Sequence, residues 1–431
     1  MQRRRPNLLT LDIPPGLRAD GTDLQTEGYW LDCNLVRWSG RVMQPVGGWV
    51  SRGVSVGAAP RGALAWRDNA GDARAAFGSS DALHIMTIGN VLTNIEPLDL
   101  ATGRVDAGAV VGYGVGPYGE EAYGVVRTET ASGEPATTWS LDTWGENLLA
   151  VSRDDKRILE WTPTTVGPAV PIAGAPACGA MVVTDERFVF ALGSGGRARV
   201  RWSDRENNAL WTPAATNEAG DITLQSEGSI LAGCRANGQT LILTTRDAHA
   251  ATYIGPPFVY RFDRVGSACG LVAPLAFAGI ASGVAWMGER GFFVFSGGAV
   301  QEVPCAIADR VFSDINRRQV SKVAAHTVEA QNEVWWLYPS EESIECDRYV
   351  AWNYRDNTWH RGSIDRTTGI DAGVFAKPMM TGPLGVVYNH EQGFAYGGLK
   401  PWAETAPITQ GGQVFTATEL CLLYTSDAAD E

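Results

Sequence analysis

Along most of this chain, apolar and polar residues alternate in short runs separated by clusters of Gly, Asn, Asp and Glu. A period of two is the signature of strands half-buried in a sheet. Residues 139–163, WSLDTWGENLLAVSRDDKRILEWTP, read as strand, turn at Gly145-Glu146-Asn147, strand, turn at Asp154-Asp155, strand. Residues 181–202 repeat the scheme with turns at Asp185-Glu186 and Gly195-Gly196, and residues 284–303 repeat it with turns at Gly288-Glu289 and Gly297-Gly298. In 234–245 the pair Asn237-Gly238 is a strong hairpin signal, because both central residues of a tight turn tolerate positive φ. Similar units stand at 62–87, at 331–340 with 349–362, and at 385–398. No long apolar stripe of period 3.6 interrupts them. The best helix signal is 306–323, where Ile307, Val311, Phe312, Ile315 and Val320 roughly share a face.

Taking the first turn of each later unit places the units near residues 146, 186, 238, 289, 332 and 390. That spacing is close to the roughly 40–50 residues of a four-stranded propeller blade. Trp-Thr-Pro occurs twice, at 161–163 and 211–213. We read it as the end of a strand in two successive blades. The Trp fills the space between neighbouring sheets, and Pro stops the strand because it has no N–H for a ladder. The expected fold is therefore all-β, a β-propeller of about six or seven blades, with an array of β-sandwich domains as the alternative. Radial repetition protects sheet edges in a long all-β chain. Residues 1–55 are expected to form an extended N-terminal arm and 56–420 the propeller, with a Gly/Tyr-rich insertion at 108–124.

Composition agrees with many tight turns between short aromatic-rich strands: 431 residues carry 50 Gly and 15 Trp. Residues 421–431, CLLYTSDAADE, resemble an in-frame translation of a sequencing adapter. They are set aside from fold reasoning, and on that reading the natural chain continues past Leu420. The net charge of −13 stays acidic without them. It argues against tightly gripped nucleic acid, which needs Lys/Arg-rich surface, but not against DNA passing nearby. Cys33, Cys178, Cys234, Cys269, Cys305 and Cys346 are scattered with no C-x-x-C, so they read as free thiols from a reducing compartment. Residues 265–288 carry no charge, but Pro274 and five Gly favour two buried strands with a turn over a membrane span.

Chemistry-bearing patterns are weak throughout. The run 112–119, GYGVGPYG, contains Pro117 where a dinucleotide-binding loop would start its helix, so it reads as an insertion. His84, His249, His326, His360 and His390 share no metal spacing. Residues 203–211, SDRENNALW, faintly resemble the Asp-box turn of sialidase propellers but lack its Gly. The run 20–23, DGTD, has too few carboxylates for a Ca²⁺ loop and reads as an Asx turn. No Walker, G-x-S-x-G or H-E-x-x-H motif is present. The sequence gives grounds for no catalytic residue, no metal ligand and no cofactor.

Four stretches carry a resemblance in their order along the chain. They are 22–49, the Gly/Tyr loop, 138–150, and 199–225 (RVRWSDRENNALWTPAATNEAGDITLQ). Together they resemble the tail nozzle proteins of short-tailed bacteriophages, also called tail tubular or stabilisation proteins. The resemblance implies a propeller-containing virion subunit assembled in the host cytoplasm. Six copies would form the distal channel of the tail, beside an adaptor and fibre or spike proteins. That channel would retain DNA and release it on infection, without sequence-specific binding and without stable membrane insertion. Tyr113, Tyr118 and Tyr123 are the expected subunit contacts. The rival readings are a receptor- or glycan-binding propeller and a propeller glycosidase.

Overall fold

The computed structural model describes residues 13–108, 134–164 and 167–406. Among these, seven four-stranded sheets radiate from one axis. The chain is therefore a seven-bladed β-propeller, as the periodicity predicts. Six blades are built from consecutive strands: blade 1 (63–94), blade 2 (139–171), blade 3 (180–223), blade 4 (230–267), blade 5 (277–303) and blade 6 (324–363). In blade 4, Asn237 and Gly238 make the two-residue turn at φ 50° and 74°, with Ala236 opposite Gln239. Gly297 and Gly298 do the same in blade 5 at φ 61° and 86°.

Blade 7 is composite. Thr368–Ile370, Met379–Thr381 and Val386–Asn389 are its first three strands, and Val50–Ser55 from the other end of the chain is its outermost. The expected boundary at residue 55 is thus displaced: the end of the N-terminal segment belongs to the ring. Residues 30–45 of that segment also pair into sheets. Trp30–Asn34 pairs with Trp402–Thr405 and lies beside the outer strand of blade 6, where Asp32 takes two 2.8 Å hydrogen bonds from Arg361. A hairpin, Val36–Ser39 with Val42–Pro45, follows.

A buried charge network locks this closure. Arg37 is 2% exposed. Its guanidinium donates to both oxygens of Glu391 (2.9 and 2.6 Å), and its Nε lies 3.2 Å from Glu333 Oε1 in blade 6. Glu333 is fully buried, accepts a 2.9 Å bond from Trp335 Nε1, and has His360 Nε2 at 3.2 Å. Burial alone pushes the Glu333 carboxyl up, but Arg37, His360 and the indole outweigh it and hold the group at about 2.

Several local expectations are corrected. The third strand of blade 2 ends at Trp161, but its counterpart in blade 3 ends at Trp202, not Trp211. Trp211 lies in the loop that joins the third and fourth strands of blade 3, with its Nε1 donating to Asn208 O at 2.7 Å. It still fills an inter-blade space, packing with Leu149, Ile158 and Val189. Two unit starts fall one turn late. Blade 5 makes its first turn at Ala281-Ser282, just before Gly283, and 288–291 is its second. The first link of blade 7 spans 371–378, and residue 390 follows its third strand. The helix expected over 306–323 covers only Ala308–Asp314, because Ile315 turns extended and bridges Ser340. Residues 277–287 of the uncharged stretch form two strands of blade 5, and no described helix is long and apolar enough to cross a membrane. The six described cysteines are free, and four are buried.

Two outcomes follow for stability. A Cβ at Gly78 would sit 2.3 Å from the ring of Trp139, which fills the seam between blades 1 and 2. Gly78→Ala is expected to cost about 1–3 kcal/mol by overpacking, read as a lower urea midpoint. Glu333 has a depressed pKa in the fold, so its contribution is present above the ordinary value of 4.5 and is lost as pH falls toward about 2. Glu333→Gln is expected to be less stable at pH 7 by about 1–3 kcal/mol, with the gap to the parent closing between pH 4.5 and 2. Thermal melts across that window check it; a gap independent of pH refutes the assignment.

Candidate functional site

The first strands of the seven blades surround a cavity of about 420 Å³ on the axis. Strands converging on an axis have little room for side chains there, and the wall is accordingly built from Gly62, Gly179, Gly233, Gly279, Ala325 and Gly369 among others. Each of these strands is the innermost of its sheet, so one edge has no ladder partner within its own blade. Buried N–H and C=O groups need partners. At several seams the neighbouring blade supplies them.

Blade 2 does this for blade 3 with side chains. Ser140 Oγ donates to Met181 O at 2.8 Å and accepts from Met181 N–H at 3.1 Å. Asp142 Oδ2 accepts from Val183 N–H at 2.8 Å. Elsewhere Trp139 N–H donates to Arg61 O (2.8 Å), Ala325 N–H to Leu275 O (2.7 Å), and Thr327 Oγ1 to Gly279 O (2.5 Å). Asp371 Oδ2 accepts from Glu329 N–H at 2.9 Å, joining blade 7 to blade 6.

Asp142 and Arg235 are the charged side chains in the wall. Asp142 Oδ1 accepts from Thr143 N–H at 2.8 Å and from Arg235 Nη2 at 2.9 Å. Arg235 belongs to blade 4, so the pair spans blade 3 and ties three blades together. Burial raises the Asp142 pKa, with Arg235 and the backbone donors offsetting part of that cost. The Arg235 side chain remains 43% exposed. The sequence reading did not single out either residue. The only local trace is a Ser and an Asp two apart on a strand otherwise rich in Trp and Leu.

In sequence an insertion separates blades 1 and 2. Its ends meet where Gly108 N–H donates to Glu134 O at 3.0 Å. Its foot is pinned to blade 6 and the turn before it. Arg61 bonds Val105 O (3.1 Å) and Glu345 (2.6 Å); the buried Lys322 bonds Asp106, Ile344 O and Glu345; Ala107 N–H donates to Gln319. The expected contact residues Tyr113, Tyr118 and Tyr123 lie outside the described residues, as does 421–431.

The other sequence candidates have structural partners. Asp204 Oδ1 accepts from Glu218 N–H at 2.8 Å, which shapes the 203–218 loop. Asp20 Oδ2 accepts from Asp309 N–H at 3.0 Å, at the start of helix Ala308–Asp314. His249 lies 3.2 Å from Asp247, His390 accepts from Arg366 Nε at 3.0 Å, and His326 is buried against Trp335. Among the described residues no three His, Cys, Asp or Glu side chains group as metal ligands.

No family profile and no curated protein sequence matches the chain. Solved structures similar to it are propellers of low identity. Virginiamycin B lyase from Staphylococcus aureus has a TM-score of 0.48 at 7% identity, covering 79% of this chain and 99% of that one. YCF48 from Cyanidioschyzon merolae has a TM-score of 0.44 at 10% identity, covering 80% and 98%. The Pan2 WD40 domain of Neurospora crassa has a TM-score of 0.44 at 6% identity, covering 80% and 94%.

Ser140→Ala removes the staple between blades 2 and 3 and leaves the Met181 amide and carbonyl unpaired. It is expected to cost about 1–3 kcal/mol. Hydrogen exchange at the Met181 amide should accelerate selectively; unchanged protection there would show that the staple contributes nothing.

Proposed function

We propose that this chain is a structural virion subunit, a nozzle-type tail protein of a short-tailed phage. In this reading six copies form the distal channel of the tail, bound to the adaptor and to fibre or spike proteins, and the channel retains DNA and releases it. The role is mechanical and involves no catalytic step. The ordered resemblance in 22–49, 138–150 and 199–225 supports it. The observation that carries most weight is where the first of these segments lies: 30–45 crosses blade 6 and leads into the strand that completes blade 7. A ring stitched from both chain ends resists opening, a property suited to a subunit that bears load from packaged DNA.

The geometry also bears on where DNA would pass. The axial cavity is small and carries the Asp142–Arg235 pair in its wall, so a duplex would run between subunits of the assembled ring. Closed heterologous rings are the ordinary way to build such a channel. An acidic balance keeps duplex from sticking to the walls, because tight phosphate binding requires cations on the protein.

The test is the oligomeric state of the protein, alone and mixed with a tail adaptor protein of a short-tailed phage, by native mass spectrometry and negative-stain imaging. Hexameric rings are expected. A protein that stays monomeric in both conditions overturns the proposal and favours a free-standing receptor- or glycan-binding propeller.

A further inference from the structure

We infer that the axial cavity is a binding site for a small oxyanion, a carboxylate or phosphate group, anchored by Arg235. The inference is independent of the nozzle reading. It rests on an unspent donor set in a cavity of the right size. A guanidinium has five N–H donors in a planar fork suited to carboxylate and phosphate. Arg235 Nη2 donates to Asp142 at 2.9 Å, and Arg235 makes no other side-chain hydrogen bond among the described residues. Its side chain is 43% exposed and lines the cavity.

Asp142 is the positioning residue. Its carboxylate is held by the N–H groups of Thr143 and Val183, so it is fixed to the wall and in turn fixes one edge of the guanidinium. The remaining donors are left for a ligand. The wall leaves space for one: a Cβ at Gly279 would meet nothing within 4 Å, and Ala325 adds little bulk. At about 420 Å³ the cavity lies at the low end of ligand-pocket volumes, which points to a small ligand. Asp142 also offsets the charge of Arg235, so affinity is modest. The carboxylates of Glu329 and Asp371 line a second, adjoining cleft that shares Gly279, Ala325 and Gly369 with the cavity. They disfavour any anion large enough to extend into it.

The probes are inorganic phosphate, titrated calorimetrically into the full chain, and selenate, soaked into crystals and located by its anomalous signal. One saturable phosphate site is expected, with selenate within hydrogen-bond distance of Arg235. Arg235→Gln should weaken phosphate binding at least about tenfold, a loss on the scale of one charged hydrogen bond. Asp142→Asn puts an amide NH2 where a carboxylate oxygen accepts, loosens the guanidinium, and should also weaken binding. A purely structural ion pair would instead give two variants that lose stability alike with no change in binding. If Arg235→Gln fails to fold, Arg235→Lys keeps the charge without the fork and should bind more weakly than the parent. Absence of saturable binding, binding unchanged in the Arg235 variants, or selenate found only on surface arginines (an adventitious ion only) would each overturn the inference.

Discussion

An innermost strand in a radial sheet has an edge with no partner in its own blade, and burying that edge unpaired would cost more than the strand gains by packing. In this ring the edges are answered by the neighbouring blade: by Ser140 and Asp142 between blades 2 and 3, by Thr327 between blades 5 and 6, and by Asp371 between blades 6 and 7. The blades are therefore not independent units that happen to pack. At these seams one blade supplies hydrogen bonds that its neighbour's inner strand lacks within its own sheet, and the cavity lies at the axis where the inner strands converge.

Closure raises the same constraint at the rim of blade 7. Three strands made late in the chain need a fourth, and the strand that fills the place comes from residues 50–55. Holding it there requires the preceding segment to cross blade 6, which places Arg37 where water cannot reach it. A buried guanidinium is tolerable only with carboxylates around it, and Glu333 and Glu391 provide them. The buried indole and imidazole contacts of Glu333 are in turn consequences of that placement. A topological need at the sheet edge thus dictates a charged cluster in the core.

The same geometry separates two roles that a propeller can play. On the proposed reading, its stitched closure serves a subunit in a larger ring, where stiffness is the useful property. Its axis is a narrow, small-residue cavity with one partly committed guanidinium, where selectivity for a small anion is the useful property. The described residues 105–107, which lead into the insertion, are held by Arg61 and Lys322, next to the first residues of the inner strands of blades 1 and 6.

Much of the fold was legible from local pattern. Strand alternation, the Asn237-Gly238 and Gly297-Gly298 turns and the repeat spacing depend only on residues close in sequence, and they predict a propeller of about the right size. The misreadings arose where local signal and long-range pairing disagreed. The second Trp-Thr-Pro looks like the first but lies in a loop, because Trp202 had already ended the strand. The turn at Ala281-Ser282 has only Ser282-Gly283 as its signal, weaker than Gly288-Glu289, and pairing of Ile280 with Gly283 decides it. The site was not legible at all. Asp142 and Arg235 are 93 residues apart, and the outer strand of blade 7 is more than 300 residues from its partner. The sequence by itself determined that short strands and tight turns would repeat around a ring. Only the tertiary structure decided which end closes it and which charges meet at its axis, because those contacts exist only after the chain has come round on itself.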